Sequence, residues 1–395
     1  MKILFIGIIY FLLAMVINRV YYLLYRYPVP VMETTAGAGS KIIWDTASLQ
    51  QISPEAVAAF YPRMLQLQDG SLLVVYASKG NIITQKSFDG GRQWQTMFVA
   101  AEKATGVNMD TPELLQLING ELLLCYNGRP EGALKGLPEA GKRFDIRIKK
   151  SNDKGLTWKD EKILYKAGES FKDGCWEPAA IQLPTGEIQL FFSDEGIYTT
   201  SDEQNISLLR SSDNGVSWSA NPQIISFRKN SRDGMPVPVW LPAQNKIALA
   251  IEDPGNRNFK PYIIHSPHMG KWMNTINNND SARVYALANK MADTIYAGAA
   301  YLRRLSTGTT VLSYQSTENR MGKNTTADAV MVVATGDKYA GGFGNKTTPF
   351  TIPEGYHALW NSLCITRGDT IIALTSTNAF SKSASEIWMI KGYAE

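Results

Sequence analysis

The apolar residues of this chain fall in paired runs, each pair interrupted by a short polar turn. Six pairs recur: RMLQLQDGSLLVVYAS from Arg63, PELLQLINGELLLCYN from Pro112, PAAIQLPTGEIQLFFSDE from Pro178, VPVWLPAQNKIALAIED from Val237, AYLRRLSTGTTVLSYQST from Ala300 and NSLCITRGDTIIALTSTN from Asn361. Their turn residues (Asp-Gly, Asn-Gly, Thr-Gly, Gly-Asp) supply the backbone angles of a tight reversal, so each pair reads as a β-hairpin. The copies begin 49 to 66 residues apart, which points to one array of similar sheets. Beyond the N-terminal segment little helix is expected. One short helix is predicted within residues 45–60, and the polar stretch 274–283 reads as a surface loop.

A second motif follows the first three hairpins. Ser87-Phe-Asp89-Gly-Gly91-Arg-Gln-Trp94, Ser151-Asn-Asp153-Lys-Gly155-Leu-Thr-Trp158 and Ser211-Ser-Asp213-Asn-Gly215-Val-Ser-Trp218 all fit S-x-D-x-G-x-x-W. Ser266 to Trp272 is a worn fourth copy, one residue short and without the Asp. The Asp can accept backbone N–H bonds across a turn, the Gly permits positive φ, and the Trp packs back between sheets. Asp89, Asp153 and Asp213 therefore read as fasteners rather than catalysts.

These Asp-boxes on repeated hairpins resemble the sialidase-like, or BNR-repeat, propellers, from about residue 41 to the C-terminus. The resemblance implies an all-β, six-bladed β-propeller around a central tunnel. The segments YPRM, NMDTPELLQL, WEPAAIQLP followed by FFSDE, GMPVPVW, AIED and YLRRLSTGTTVLSYQSTENR are more closely similar to the family 93 exo-arabinanases. That likeness implies a retaining, exo-acting glycoside hydrolase that needs no metal or cofactor, with Glu177 as nucleophile and Glu252 as acid/base.

Composition narrows the partners. The formal net charge is +4, and no stripe of Lys and Arg is able to neutralise a run of phosphates, which argues against nucleic acid. Cys125, Cys175 and Cys364 each sit in or beside an apolar run and read as buried thiols, and the three histidines lack metal-ligand spacing with them. At the N-terminus Lys2 precedes an apolar run from Ile3 to Ile17, and Val20 to Tyr25 extends it. Residues 1–27 thus read as a signal peptide or a membrane anchor and 28–40 as a linker, with the propeller at 41–395 outside the cytoplasm: secreted, periplasmic or anchored. Four N-x-S/T sites start at Asn205, Asn279, Asn324 and Asn345.

In a propeller the first strand of each blade lines the axis, and loops at one end build the site. Glycoside hydrolysis needs two carboxyl groups flanking the scissile bond. Glu177, before the third hairpin, and Glu252, ending the fourth, are the candidates, with Asp110 as a third carboxylate or a ligand for a sugar hydroxyl. Arg63, Arg303, Trp176, Tyr356 and Trp360 are candidate contacts to a polysaccharide or glycan. Two other readings stand beside this one. An exo-α-sialidase would use Arg63 and Arg303 in a carboxylate clamp and Tyr356 as nucleophile, though blade four has Gly-Met-Pro where another arginine is expected. A carbohydrate-binding propeller without catalysis shares the fold.

Overall fold

Twenty-four strands in six four-stranded antiparallel sheets make up the computed structural model, which describes residues 40–95, 98–255, 257–321, 326–381 and 384–395. The signal or anchor segment, nearly all of the linker and Asn324 lie outside the described residues. Among the described residues no helix is long and apolar enough to cross a membrane.

Each predicted hairpin forms the two inner strands of one blade. The innermost strands are Phe60–Gln66, Val107–Gln116, Cys175–Gln182, Gly234–Leu241, Ala297–Arg304 and Ala358–Ile365. The second strands are Leu72–Ser78, Leu122–Pro130, Ile188–Asp194, Lys246–Asp253, Thr310–Ser316 and Ile371–Thr377. Four of these (in blades one, three, five and six) are buried at every residue. A sheet covered on both faces buries a continuous apolar run, and this explains why the hairpins do not alternate cleanly between apolar and polar. Outer strands such as Lys159–Lys166 are mostly exposed or half-buried.

The sixth blade takes its outermost strand from the other end of the chain. Ile42–Gln51 pairs antiparallel with Glu386–Ala394, from Ile42 opposite Ala394 to Gln51 opposite Trp388. The short helix expected within 45–60 is therefore a strand up to Gln51, because closing the ring supplies a partner almost the whole chain away. Residues 273–282 lack strand or helix, as expected, but Ile276 is buried and bridges Ser226, and Arg283 opens a strand and is buried. All three cysteines are free and buried.

Strand direction places the Asp-boxes at the third-to-fourth-strand turns, at the end of the axis opposite the loops that follow each second strand. In the second box the Ser151 hydroxyl donates to Asp153 (2.8 Å) and accepts from the Gly155 N–H (2.9 Å), while the Thr157 N–H donates to Asp153 (2.9 Å). Gly155 has φ +87°, and a Cβ there would meet Leu73 at 2.9 Å, so both the turn and the packing require glycine. The worn copy keeps its tryptophan: Trp272 is buried and donates to Gln189 (3.0 Å). These aspartates hold turns, as their spacing indicates.

Candidate active site

Every innermost strand is interrupted at the same place. Tyr61, Thr111, Glu177, Met235, Ala299 and Trp360 have φ between 44° and 55°, and at each of them the ladder to the second strand slips register. A bulge of this kind leaves one residue unpaired and re-aims its side chain. In blades one to four the next residue is Pro62, Pro112, Pro178 or Pro236, which has no N–H to leave unsatisfied in a broken ladder. Left-handed backbone at non-glycine residues costs about 1 kcal/mol or more each. Six such residues at equivalent positions form a ring around the axis.

The bulges are held by neighbouring blades. The N–H of Glu177 donates to Asn127 Oδ1 (2.9 Å), that of Met235 to Ser193 Oγ (3.0 Å), that of Ala299 to Glu252 Oε2 (2.7 Å) and that of Trp360 to Gln315 Oε1 (2.9 Å). Asn127, Ser193, Glu252 and Gln315 occupy one equivalent position, opposite the residue that precedes the bulge in their own blade. Glu252 is thus a blade-to-blade latch. Three other blades do that work with a neutral side chain, so the latch alone does not require a carboxyl group.

A cavity of about 440 Å³ opens over this ring, and Glu177, Glu252, Asp110, Trp176 and Trp360 all line it. Below, between Arg63, Glu113 and Glu177, only about 10 Å³ of space is left, so side chains plug the axis at that level. Glu177, with its side chain 17% exposed, has Arg129 Nη2 at 3.9 Å and receives the Tyr61 hydroxyl at 3.5 Å. Burial raises its pKa, Arg129 opposes this, and Asp110 adds to it. No cation comes within ion-pair distance of Glu252 among the described residues, and its pKa is pushed up to about 7, chiefly by burial, with the Ala299 N–H opposing and Glu177 adding. Two carboxyl groups in one cavity therefore sit in different environments, one with a guanidinium at 3.9 Å and one with only the more distant charge of Arg232.

Arg129 is the residue that sequence reasoning missed. It bonds Asp110 Oδ2 at 3.0 Å, faces Glu177, and lies over the Trp176 ring at 5.0 Å and the Tyr61 ring at 5.7 Å. It stands next to last in the second strand of blade two, just past the position that Glu252 occupies in blade four. The signal in the sequence is a charged residue in NGRP, at the exit of a second strand as Glu252 is. Tyr61, in the YPRM segment, also lines the cavity, as do Arg232 and Tyr296. Arg129→Met is expected to destabilise the fold by about 3 kcal/mol, since it leaves Asp110 and Glu177 facing each other uncompensated. It also raises the Glu177 pKa further, so any activity needing that carboxylate ionised moves its acidic limb to higher pH. Urea unfolding and a pH–rate profile check both effects; an unmoved limb would separate Arg129 from Glu177.

Three of the candidate contacts lie elsewhere. Arg63 is buried, with Nε 3.3 Å from Glu113 and Nη1 donating to the carbonyls of Pro62 and Trp360. Arg303 Nη2 reaches the same Glu113 at 3.6 Å, and the Tyr301 hydroxyl donates to it as well. A protein carboxylate thus occupies the space between the two arginines where the sialidase reading would put a substrate's. Neither arginine lines the cavity, nor does Tyr356, which packs against the core of blades five and six and gives its carbonyl to Arg320. Trp176 is enclosed by Phe144, Phe171 and Arg129, so it forms a packed wall. Trp360 stacks on Tyr61 with centroids 4.6 Å apart. Of the N-x-S/T asparagines, Asn279 and Asn345 are exposed, and Asn205 is buried and bonded to Tyr198.

Six four-stranded blades closed by the N-terminal strand, with Asp-boxes at one end and two carboxyl groups in a cavity at the other, make this chain a six-bladed, Asp-box β-propeller. The BNR repeat-like domain matches residues 136–231. The fold is close to that of glycoside hydrolase family 93. A family 93 α-L-arabinofuranosidase of Fusarium graminearum, solved with arabinobiose, aligns with TM-score 0.66 and 19% identity over 87% of this chain and 97% of its own. A protein of unknown function from Dyadobacter fermentans aligns with TM-score 0.66 and 13% identity over 90% and 99%. The NanB sialidase of Streptococcus pneumoniae aligns with TM-score 0.60 and 13% identity over 89% and 70%. Comparison with curated proteins by sequence gave no match.

Proposed function

We propose that this propeller is an exo-acting, retaining glycoside hydrolase that cleaves a neutral, arabinan-type polysaccharide outside the cytoplasm. The observation that carries the reading is the pair Glu177 and Glu252 in one axial cavity, with Arg129 beside the first and no ion-paired cation on the second. Glu177, ionised, attacks the anomeric carbon. As that bond forms, the bond to the leaving oxygen breaks, and Glu252 gives its proton to that oxygen. A water then displaces Glu177 from the sugar, handing a proton back to Glu252, and both groups return to their starting states.

A neutral substrate fits the charges. Arg129 and Arg232, the two arginines lining the cavity, are already paired with Asp110 and Glu195. Arg63 and Arg303 are both engaged by Glu113. A sialic carboxylate would need to displace a protein carboxylate from one of them. Export rests on the apolar run Ile3 to Ile17 behind Lys2.

The test is incubation of the purified protein with linear arabinan and, separately, with a fluorogenic sialoside. Short arabino-oligosaccharides released from chain ends, with the anomer retained in early proton NMR spectra, are the expected result. Release of sialic acid would transfer the assignment to a sialidase, and binding of glycan without release would make the protein a lectin-like propeller.

A further inference from the structure

A second cavity of about 440 Å³ opens beside the catalytic one, and Arg232 lines both. It lies between three loops of blades three and four, contributing Ser201 to Glu203, Asn230 to Arg232, and Pro254, Gly255 and Arg257. These loops project at the same end of the propeller as the candidate active site, because they follow second strands or lead into a first strand.

Arg232 is a fixed partition. Its guanidinium is ion-paired with the buried Glu195, and Nη1 reaches the Asp202 carbonyl at 3.5 Å. Its backbone is pinned against Gln204, which accepts the Asp233 N–H (3.0 Å) and donates its own N–H to Ser231 (3.2 Å). Glu203 is buried beneath the second cavity, with Oε1 accepting the Asn230 N–H at 3.1 Å and Oε2 without a donor in bonding geometry. Carboxylates, an amide, hydroxyls and guanidiniums together offer both acceptors and donors, and no aromatic ring lines the space. That chemistry suits the hydroxyl groups of a sugar.

Position assigns the cavity a side of the scissile bond. The proton donor stands next to the leaving oxygen, and Glu252 is that donor in the proposed reaction. The loop that carries Gly255 and Arg257 into the second cavity begins directly after the strand ending Glu252-Asp253. A chain leaving the catalytic cavity past Glu252 therefore meets this loop next. We propose that the second cavity is a leaving-group subsite that binds the next sugars of a linear polysaccharide, an inference that rests on the hydrolase reading. Arg257 and Asp202 are the contacts to remove, because both are exposed and their loss spares the fold.

The experiment compares kcat/KM on a linear arabino-hexasaccharide with kcat/KM on an aryl arabinofuranoside, for the parent protein and for the double variant Asp202→Ala, Arg257→Ala. The parent is expected to favour the hexasaccharide, and the variant to lower the ratio of the two values about tenfold, mainly through KM. A parent preference for length that the variant leaves intact would overturn the subsite, as would no preference at all. If neither substrate is turned over, calorimetry with the hexasaccharide decides. Binding weakened about tenfold by the variant keeps the second cavity as a sugar-binding site, while the hydrolase reading and with it the leaving-group role fall. Absent or unaltered binding removes the subsite.

Discussion

Glu252→Gln is expected to fold like the parent protein and to lose about 10³-fold in kcat on a polysaccharide, the usual scale of general-acid catalysis. The fold survives because the substituted amide still offers an oxygen to the Ala299 N–H, as Gln315 does to Trp360 and Asn127 to Glu177. Turnover falls because the amide has no acidic proton to give. The loss should shrink on an aryl glycoside with a strongly acidic phenol, whose departure needs no proton. With its pKa pushed up to about 7, Glu252 is protonated below that pH, so the parent's activity should decline as pH rises through 7.

Stability follows the same titration. Burial favours the neutral form and places the folded-state pKa above the unfolded value near 4.5. The resulting stability is fully present below the unfolded pKa and is lost as pH rises through 7. Above that pH the parent holds an ionised, buried carboxylate that the variant lacks. Urea unfolding at pH 9 should therefore find Glu252→Gln more stable by about 3 kcal/mol, converting the displacement at 1.36 kcal/mol for each pKa unit. At pH 4 the two proteins should be nearly equal. A variant with parental turnover would remove Glu252 from the chemistry and leave it only the latch.

Glu177→Gln is expected to cost more, about 10⁴-fold or above, equivalent to at least roughly 5 kcal/mol of transition-state stabilisation. No other carboxylate replaces it, because Asp110 is committed to Arg129 at 3.0 Å and to the Thr111 N–H at 2.7 Å. The backbone of residue 177 stays anchored through its N–H on Asn127, so the bulge persists in the variant. Added azide should restore part of the turnover by attacking the anomeric carbon in place of the lost carboxylate. The product would be a glycosyl azide of inverted configuration, detectable by NMR. Rescue with retained configuration, or undiminished activity without azide, would refute the nucleophile assignment.

The amino-acid sequence by itself determined the repeating unit. Hairpins closed by Asp-Gly and Asn-Gly, and Asp-boxes such as Ser151 to Trp158, are local features, set by which residues tolerate positive φ and which accept N–H bonds within a few positions. Counting them gave six blades, and the chain's resemblance to family 93 singled out Glu177 and Glu252 for the axial cavity in which both lie. Tertiary structure alone decided what charged side chains meet across blades. Arg63 and Arg303 look from the sequence like substrate ligands, but Glu113 from a third blade lies between them; Arg129 looks like the end of a strand, but it stands beside Glu177. The strand at Ile42–Gln51 likewise depends on a partner at the far end of the chain. Coulombic and ladder partners separated by tens to hundreds of residues leave no periodic trace, because closure of the ring, and no local rule, brings them together.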